Sequence, residues 1–187
     1  PEMSDLASEP QSIRRLYGLD EQLTADFARN CILGRRLLER GVRFVQLFSG
    51  GPLGGMPRAS WDAHEKMIPN HSREAVRIDQ PVAALLTDLQ QRGLLEDTLV
   101  TFTTEFGRTP FAESKPGENS TGRDHNSAGF SIWMAGAGLR PGITYGETDE
   151  IGYKAAKDIL TWHDFHATML HLFGIDHTAL TFYHNGI

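Results

Sequence analysis

Four side chains, on three separated stretches, have the types and spacing for metal chemistry. Glu105 ends the run Thr98-Leu-Val-Thr-Phe-Thr-Thr-Glu105, and His125 closes Gly122-Arg-Asp-His125. The first run reads as a buried strand that stops at a carboxylate and a glycine. The second reads as a polar loop with an Asp-His pair leading into another strand. A carboxylate at a strand's C-terminal end and an imidazole just before the next suit a metal or anion site at a sheet edge, since open α/β sheets bind ligands there. Asp62 and His64, in Ser60-Trp-Asp-Ala-His64, are one residue apart. On an extended segment both point to the same side, as two ligands of one ion would, or as a hydrogen-bonded Asp-His pair in a loop would.

The elements that must position these residues follow from periodicity. Leu23 to Arg40 reads as a helix with Leu23, Phe27, Cys31, Leu37 and Leu38 near helical spacing, arginines in its C-terminal half and Gly41 as its stop. Cys31 on that face reads as a small core residue, with a reactive thiol as the alternative. Val42 to Phe48 alternates and reads as a strand. Ser49 to Pro57 is glycine-rich but lacks the Gly-Lys-Ser/Thr ending of a phosphate loop, which favours a flexible loop near a site. Ile78 to Arg92 has one apolar face (Ile78, Val82, Leu85, Leu86, Leu89), with Asp79 and Pro81 suited to a helix start, an earlier start near Ser72 left open, and Gly93 suited to its end. Strand, helix, strand in that order predicts a right-handed βαβ crossover and a largely parallel sheet flanked by helices. Pro110 to Thr121 reads as a surface loop and Gly129 to Gly136 as a third strand. Trp162 to Phe173 reads as a helix capped by Thr161; His163 and His166 on it could chelate as i, i+3 neighbours or pack structurally. Residues 1 to 20 read as an extended arm with a helical turn near Ser12 to Leu16.

Composition excludes several function classes. The 187 residues carry a formal net charge of −6 and no Lys/Arg run longer than two, so a nucleic-acid partner, which needs a basic patch, is not expected. No apolar run approaches the roughly 20 residues of a membrane span. A single cysteine excludes an internal disulfide and a cysteine-based zinc site. With 40% hydrophobic and 22% charged residues, one packed domain without a linker is predicted.

The phrases Arg35-Arg-Leu-Leu-Glu-Arg-Gly-Val-Arg-Phe-Val-Gln46, Trp61-Asp-Ala-His64, Arg92-Gly-Leu-Leu-Glu-Asp-Thr-Leu-Val100, Glu105-Phe-Gly-Arg-Thr-Pro110, Gly122-Arg-Asp-His125 and Asp164-Phe-His-Ala-Thr-Met-Leu-His171 resemble a bacterial sulfatase-like family known as domain of unknown function fifteen-oh-one. The likeness runs from Tyr17 onward. It implies the alkaline phosphatase and sulfatase superfamily, hence an alkaline-phosphatase-like fold of which residues 1–187 are the C-terminal portion. An N-terminal segment carrying the nucleophile and a further metal-binding Asp would complete the domain. By this resemblance Asp62, His64 and His125, with Asp124 beside it, are ligands to one metal, and Glu105 is a ligand to a second. Phe106 stands where members carry a ligating His.

The function the resemblance implies is a metal-dependent hydrolase of sulfate or phosphate esters, this chain supplying metal ligands but not the nucleophile and so inactive alone. The alternative is a degenerate, non-catalytic member that binds an anionic polysaccharide or a protein partner. The ligand set suits zinc first, with manganese, calcium or magnesium as further candidates. Arg108 and Arg123, beside the ligand positions, are candidates to bind the anionic oxygens of the ester substrate, a sulfated polysaccharide among them, or are solvated or carboxylate-paired. Family members usually carry twin-arginine export signals, which implies a periplasmic or extracellular setting.

Overall fold

The computed structural model describes residues 4–50, 60–113 and 120–184. The glycine-rich stretch mostly lies outside them, as does the middle of the expected surface loop at 114–119. The architecture is mixed α/β, with helices α1 (Gln11–Tyr17), α2 (Ala25–Glu39), α3 (Met67–Gln91) and α4 (Trp162–Leu172). Strands β1 (Leu99–Phe102), β2 (Gly107–Ala112), β3 (Arg123–Asn126), β4 (Trp133–Gly136), β5 (Glu147–Thr148) and β6 (Ala155–Lys157) lie between α3 and α4. None of the helices among the described residues is long and apolar enough to cross a membrane.

The apolar stripe of α2 buries Ala28, Cys31 and Ile32 against Leu6, Tyr17, Leu19 and Ala84, so the core lies between α1, α2 and α3. Burial pushes the Cys31 thiol up to about 12, which fixes it as a core residue. Gly41 and Gly93, with φ of 82° and 69°, let α2 and α3 end in paired backbone bonds, Val42 N–H to Leu37 at 3.1 Å and Leu94 N–H to Leu89 at 2.8 Å. The predicted extents of α2 and α4 agree with the structure to within about two residues, the ordinary ambiguity of a helix end. Thr161 caps α4 in a reciprocal capping box with Asp164.

Charged side chains lock the helical layer from within. Glu9 Oε1 accepts from Arg35 and Arg36, each at 2.7 Å. Asp88 on α3 accepts from Tyr17 Oη at 2.9 Å and from Arg92 Nε at 2.7 Å. Arg35 Nε lies 3.1 Å from Asp88 Oδ2 but outside hydrogen-bond geometry, so that contact is an ion pair alone. Burial and the adjoining Asp88 carboxylate push the Tyr17 hydroxyl far above the usual phenol range.

Three expectations need correction. First, α3 begins at Met67, so Asp79 and Pro81 sit in its interior. Pro81 is buried against the other helices, and that packing offsets the backbone bond it cannot make. Second, every ladder among the described residues is a two-stranded antiparallel pair (β1 with β4, β2 with β3, β5 with β6) rather than part of a parallel sheet. A βαβ unit needs the strand before α3 to pair with β1. Val42 to Phe48 is in no ladder; Val45 and Leu47 instead pack within about 3.6 Å of where a Gly34 side chain would begin on α2. Third, Pro110 to Ala112 and Arg123 to Asn126, read as loop, belong to the strands of the β2–β3 pair. A two-sided polar ribbon pairs through its backbone and shows no apolar alternation.

Candidate metal centre

The β2–β3 register builds the centre. Arg108 stands opposite His125, and Gly107 opposite Asn126. Asn126 is buried; its side-chain amide donates to Tyr153 O at 2.6 Å and its carbonyl accepts Ala128 N–H at 3.1 Å, which fixes the end of β3. At the other end of β3, Arg123 N–H donates to Ala63 O at 3.2 Å, docking the ribbon on the Asp62–His64 segment. Gly122 makes that approach possible. A Cβ added there would lie 1.8 Å from His64 O and 2.0 Å from its carbonyl carbon, both backbone atoms. No side chain fits.

Asp62 and His64 converge through a tight turn rather than strand alternation: His64 N–H donates to Asp62 O at 3.0 Å. Ala63 between them is fully buried. The outcome is the one expected of the spacing, with both side chains on one side. Asp62 Oδ1 lies 3.0 Å from His64 Nε2 and 2.8 Å from His125 Nε2, and the two Nε2 atoms are 3.1 Å apart. Asp62, His64 and His125 thus gather their ligand atoms in a triangle.

The triangle can be tested against a divalent ion. Ligands about 2.0–2.1 Å from a tetrahedral zinc lie about 3.3 Å from one another, and octahedral ligands at the same range about 3.0 Å. Edges of 2.8, 3.0 and 3.1 Å fit one face of either polyhedron, closer to the octahedral, with the remaining positions on the open side. Two imidazoles and one carboxylate are the donor set of many zinc and iron sites. The residues present fit the group.

The electrostatics agree. Burial by itself would push the Asp62 carboxyl up. Hydrogen bonds from His125 and Arg108 outweigh it and, with the charges of His64 and Arg108, hold it at about 2 against an ordinary 3.8. Asp62 is therefore ionised throughout the neutral range and available as an anionic oxygen donor.

Arg108 is carboxylate-paired. Its Nη2 donates to Asp62 Oδ1 at 2.8 Å and to Trp61 O at 3.0 Å, and its Nη1 donates to Arg123 O at 3.1 Å. It clamps the Asp62 segment to β3. Arg123 makes no side-chain hydrogen bond or ion pair among the described residues, which leaves its guanidinium for a ligand. Asp124 does not join the Asp62 triangle. It falls in a second grouping with His64 and Glu113, and its Oδ1 accepts the His125 backbone N–H at 2.7 Å.

Glu105 is exposed in the bend before β2 and enters neither grouping. Phe106, at the position where the resemblance places a ligating His, packs tilted against His125, with ring centroids 4.3 Å apart. His166 is structural: its Nδ1–H donates to Trp162 O at 2.7 Å, and its ring packs on Trp162 and Phe165. Neither His163 nor His166 belongs to a metal-capable grouping among the described residues.

Glu113 is the member that sequence reading missed. Its Oε2 lies 2.6 Å from His64 Nδ1. Glu113 N–H donates to Gly122 O at 3.1 Å, a backbone pairing beyond the β2–β3 ladder; the one signal in the sequence, the turn dipeptide Pro116-Gly117, lies outside the described residues.

The profile of the family described as Protein of unknown function (DUF1501) matches residues 1–187, and the chain belongs to that family. No curated protein and no solved structure matches the chain.

Proposed function

We propose that the chain carries the divalent-metal site of a hydrolase acting on sulfate or phosphate esters, with the alkaline phosphatase and sulfatase superfamily as its wider kin. The observation that carries this is the triangle of Asp62 Oδ1, His64 Nε2 and His125 Nε2, with edges of 2.8–3.1 Å. Asp62, His64 and His125 would hold the ion. When bound, a divalent ion supplies Lewis-acid polarisation of an ester oxygen and offsets charge at the leaving group. Arg108 keeps Asp62 in place and anionic. Arg123, on the same strand as His125 and without a side-chain partner among the described residues, suits the remaining anionic oxygens of the ester. Phe106 covers one face of His125 and limits the ring's rotation. None of the three ligands is a nucleophile of the superfamily type; by the family resemblance that group would come from residues other than these 187. Zinc is the first metal to try, then manganese, magnesium and calcium.

The experiment is zinc titration of the purified chain by calorimetry and by competition with a chromophoric chelator. One ion per chain, lost in His125→Ala and in Asp62→Asn, is the expected result. A wild-type chain that takes up no ion would end the metal reading.

A second reading is a non-catalytic member that binds an anionic polysaccharide or protein partner. Exposed Glu105 and the ring of Phe106 favour it, because among the described residues no metal-capable grouping includes Glu105. It predicts that binding of a sulfated oligosaccharide needs Arg123 and is indifferent to chelator. The hydrolase reading predicts that chelator abolishes it.

A further inference from the structure

Glu113 lies outside the Asp62 triangle, yet its carboxylate touches one of the triangle's imidazoles from behind. Glu113 Oε2 is 2.6 Å from His64 Nδ1, the ring nitrogen that faces away from Asp62 and His125. The backbone is fixed on both sides of this contact. Glu113 N–H donates to Gly122 O at 3.1 Å, and Gly122 lies flush against the His64 backbone. His64 is mostly enclosed, with 16% of its side chain exposed, so its ring has little room to turn.

The protons of the site must be distributed among few positions. Asp62 Oδ1 already accepts from Arg108 Nη2 at 2.8 Å and lies 2.8 Å from His125 Nε2. A proton on His64 Nε2 would be a third donor on the same oxygen, and would face the other Nε2 at 3.1 Å. A carboxylate oxygen has two lone-pair directions. A proton on His64 Nδ1 has Glu113 as its acceptor at charge-assisted distance. One tautomer therefore puts a third donor on Asp62 Oδ1; the other gives the Nδ1–H its acceptor in Glu113 and leaves the Nε2 lone pair facing Asp62 Oδ1 at 3.0 Å, a pairing that calls for a cation between them.

We infer that Glu113 is a positioning residue: it accepts the Nδ1–H of His64, fixes that tautomer, and so presents the Nε2 lone pair to the Asp62–His125 side where a divalent ion would sit. A carboxylate behind a ligating imidazole orients the ring and strengthens it as a donor, and losing such a partner typically costs 10–100-fold in metal affinity. The inference rests on the metal reading for its consequence but not for its tautomer, and the two can be tested apart.

The test is long-range proton–nitrogen correlation of the histidine rings in the chain, in mildly alkaline buffer, with zinc affinity measured by chelator competition. Wild type is expected to show His64 protonated on Nδ1. Glu113→Ala should move the proton toward Nε2 and weaken zinc about 10–100-fold. Glu113→Gln, whose amide oxygen still accepts the bond, should keep the tautomer and lose less affinity than Glu113→Ala. A wild-type His64 protonated on Nε2 would overturn the inference. So would a Glu113→Ala chain with unchanged tautomer and affinity. Loss of one of two bound ions in Glu113→Ala would make Glu113 a ligand and likewise overturn it. A wild type that binds no zinc but shows the expected tautomer shift upholds the hold of Glu113 on His64 and ends the metal reading instead.

Discussion

Two carboxylates in this molecule each gather several positively charged or hydrogen-donating groups, with opposite results. Asp88, in the helical layer, collects Tyr17, Arg35 and Arg92; Asp62, in the segment on which the β2–β3 ribbon docks, collects His64, Arg108 and His125. In the first group the carboxylate and its nearest buried cation are sealed, Asp88 at 2% exposed and Arg35 at 4%, and only Arg92 reaches solvent. In the second, Asp62 is 42% exposed and His125 44%. The partners differ in kind as well. Guanidinium and phenol groups donate but offer no nitrogen lone pair, whereas an imidazole can give up its proton and bind a cation. Convergence of charge alone does not mark a functional site. Solvent access together with displaceable protons is what sets the candidate centre apart.

The contrast can be broken first at the buried group. Arg35→Ala leaves Glu9 and Asp88 without their shared cation and should cost about 3–5 kcal/mol in urea unfolding, with zinc binding in the surviving folded fraction unchanged. Gly122→Ala drives a Cβ into the His64 backbone and is expected to cost about 3 kcal/mol and to abolish zinc uptake, because the two halves of the triangle separate. The mirror image of Arg35→Ala is His125→Ala: a stability change within about 0.5 kcal/mol and no zinc binding. If His125→Ala proves as destabilising as Arg35→Ala, the two regions are alike and the contrast fails.

Protonation gives a smaller effect. The folded Asp62 carboxyl, at about 2, lies below its ordinary 3.8. Its contribution is fully present above the unfolded value and fades as pH falls through about 2. Solvent screening at this half-open site holds it below about 1 kcal/mol. Stability profiles of wild type and Asp62→Asn should therefore differ by a near-constant amount at neutral pH and converge in strong acid. The smallest change is expected from Cys31, whose thiol, pushed to about 12, should resist a thiol-reactive dye until the helical layer unfolds.

What could be read in advance divides along physical lines. Helices α2 and α4 were legible because an apolar stripe and a glycine stop are written locally. The start of α3 was not, because Pro81 mimics a helix start while its burial in the interhelical packing carries the helix through. Asp62, His64 and His125 were legible as residue types at telling spacing. Their convergence was not, because it depends on the β2–β3 register and on Gly122. The parallel sheet was misjudged at Val42 to Phe48: alternation shows that a segment can be extended, but a strand's partner is set by tertiary contacts. Glu113 and the strand role of Arg123 to Asn126 were hidden for one reason, since a solvated polar ribbon leaves no hydrophobic trace.

The crossing of Gly122 over the His64 backbone has a further consequence, in the language of folding. His64 and His125 are 61 residues apart in the chain, with all of α3 between them. Closing a loop costs entropy that grows by about 0.6 kcal/mol with each doubling of its length. A cation held jointly by Asp62, His64 and His125 would act as a removable cross-link on that loop, absent from the unfolded chain and therefore stabilising by mass action. At a free concentration 100 times its dissociation constant, that linkage amounts to about 2.7 kcal/mol. The centre would then serve as a clasp as well as a site, and its engagement would report that the ribbon had returned to the start of the long helix.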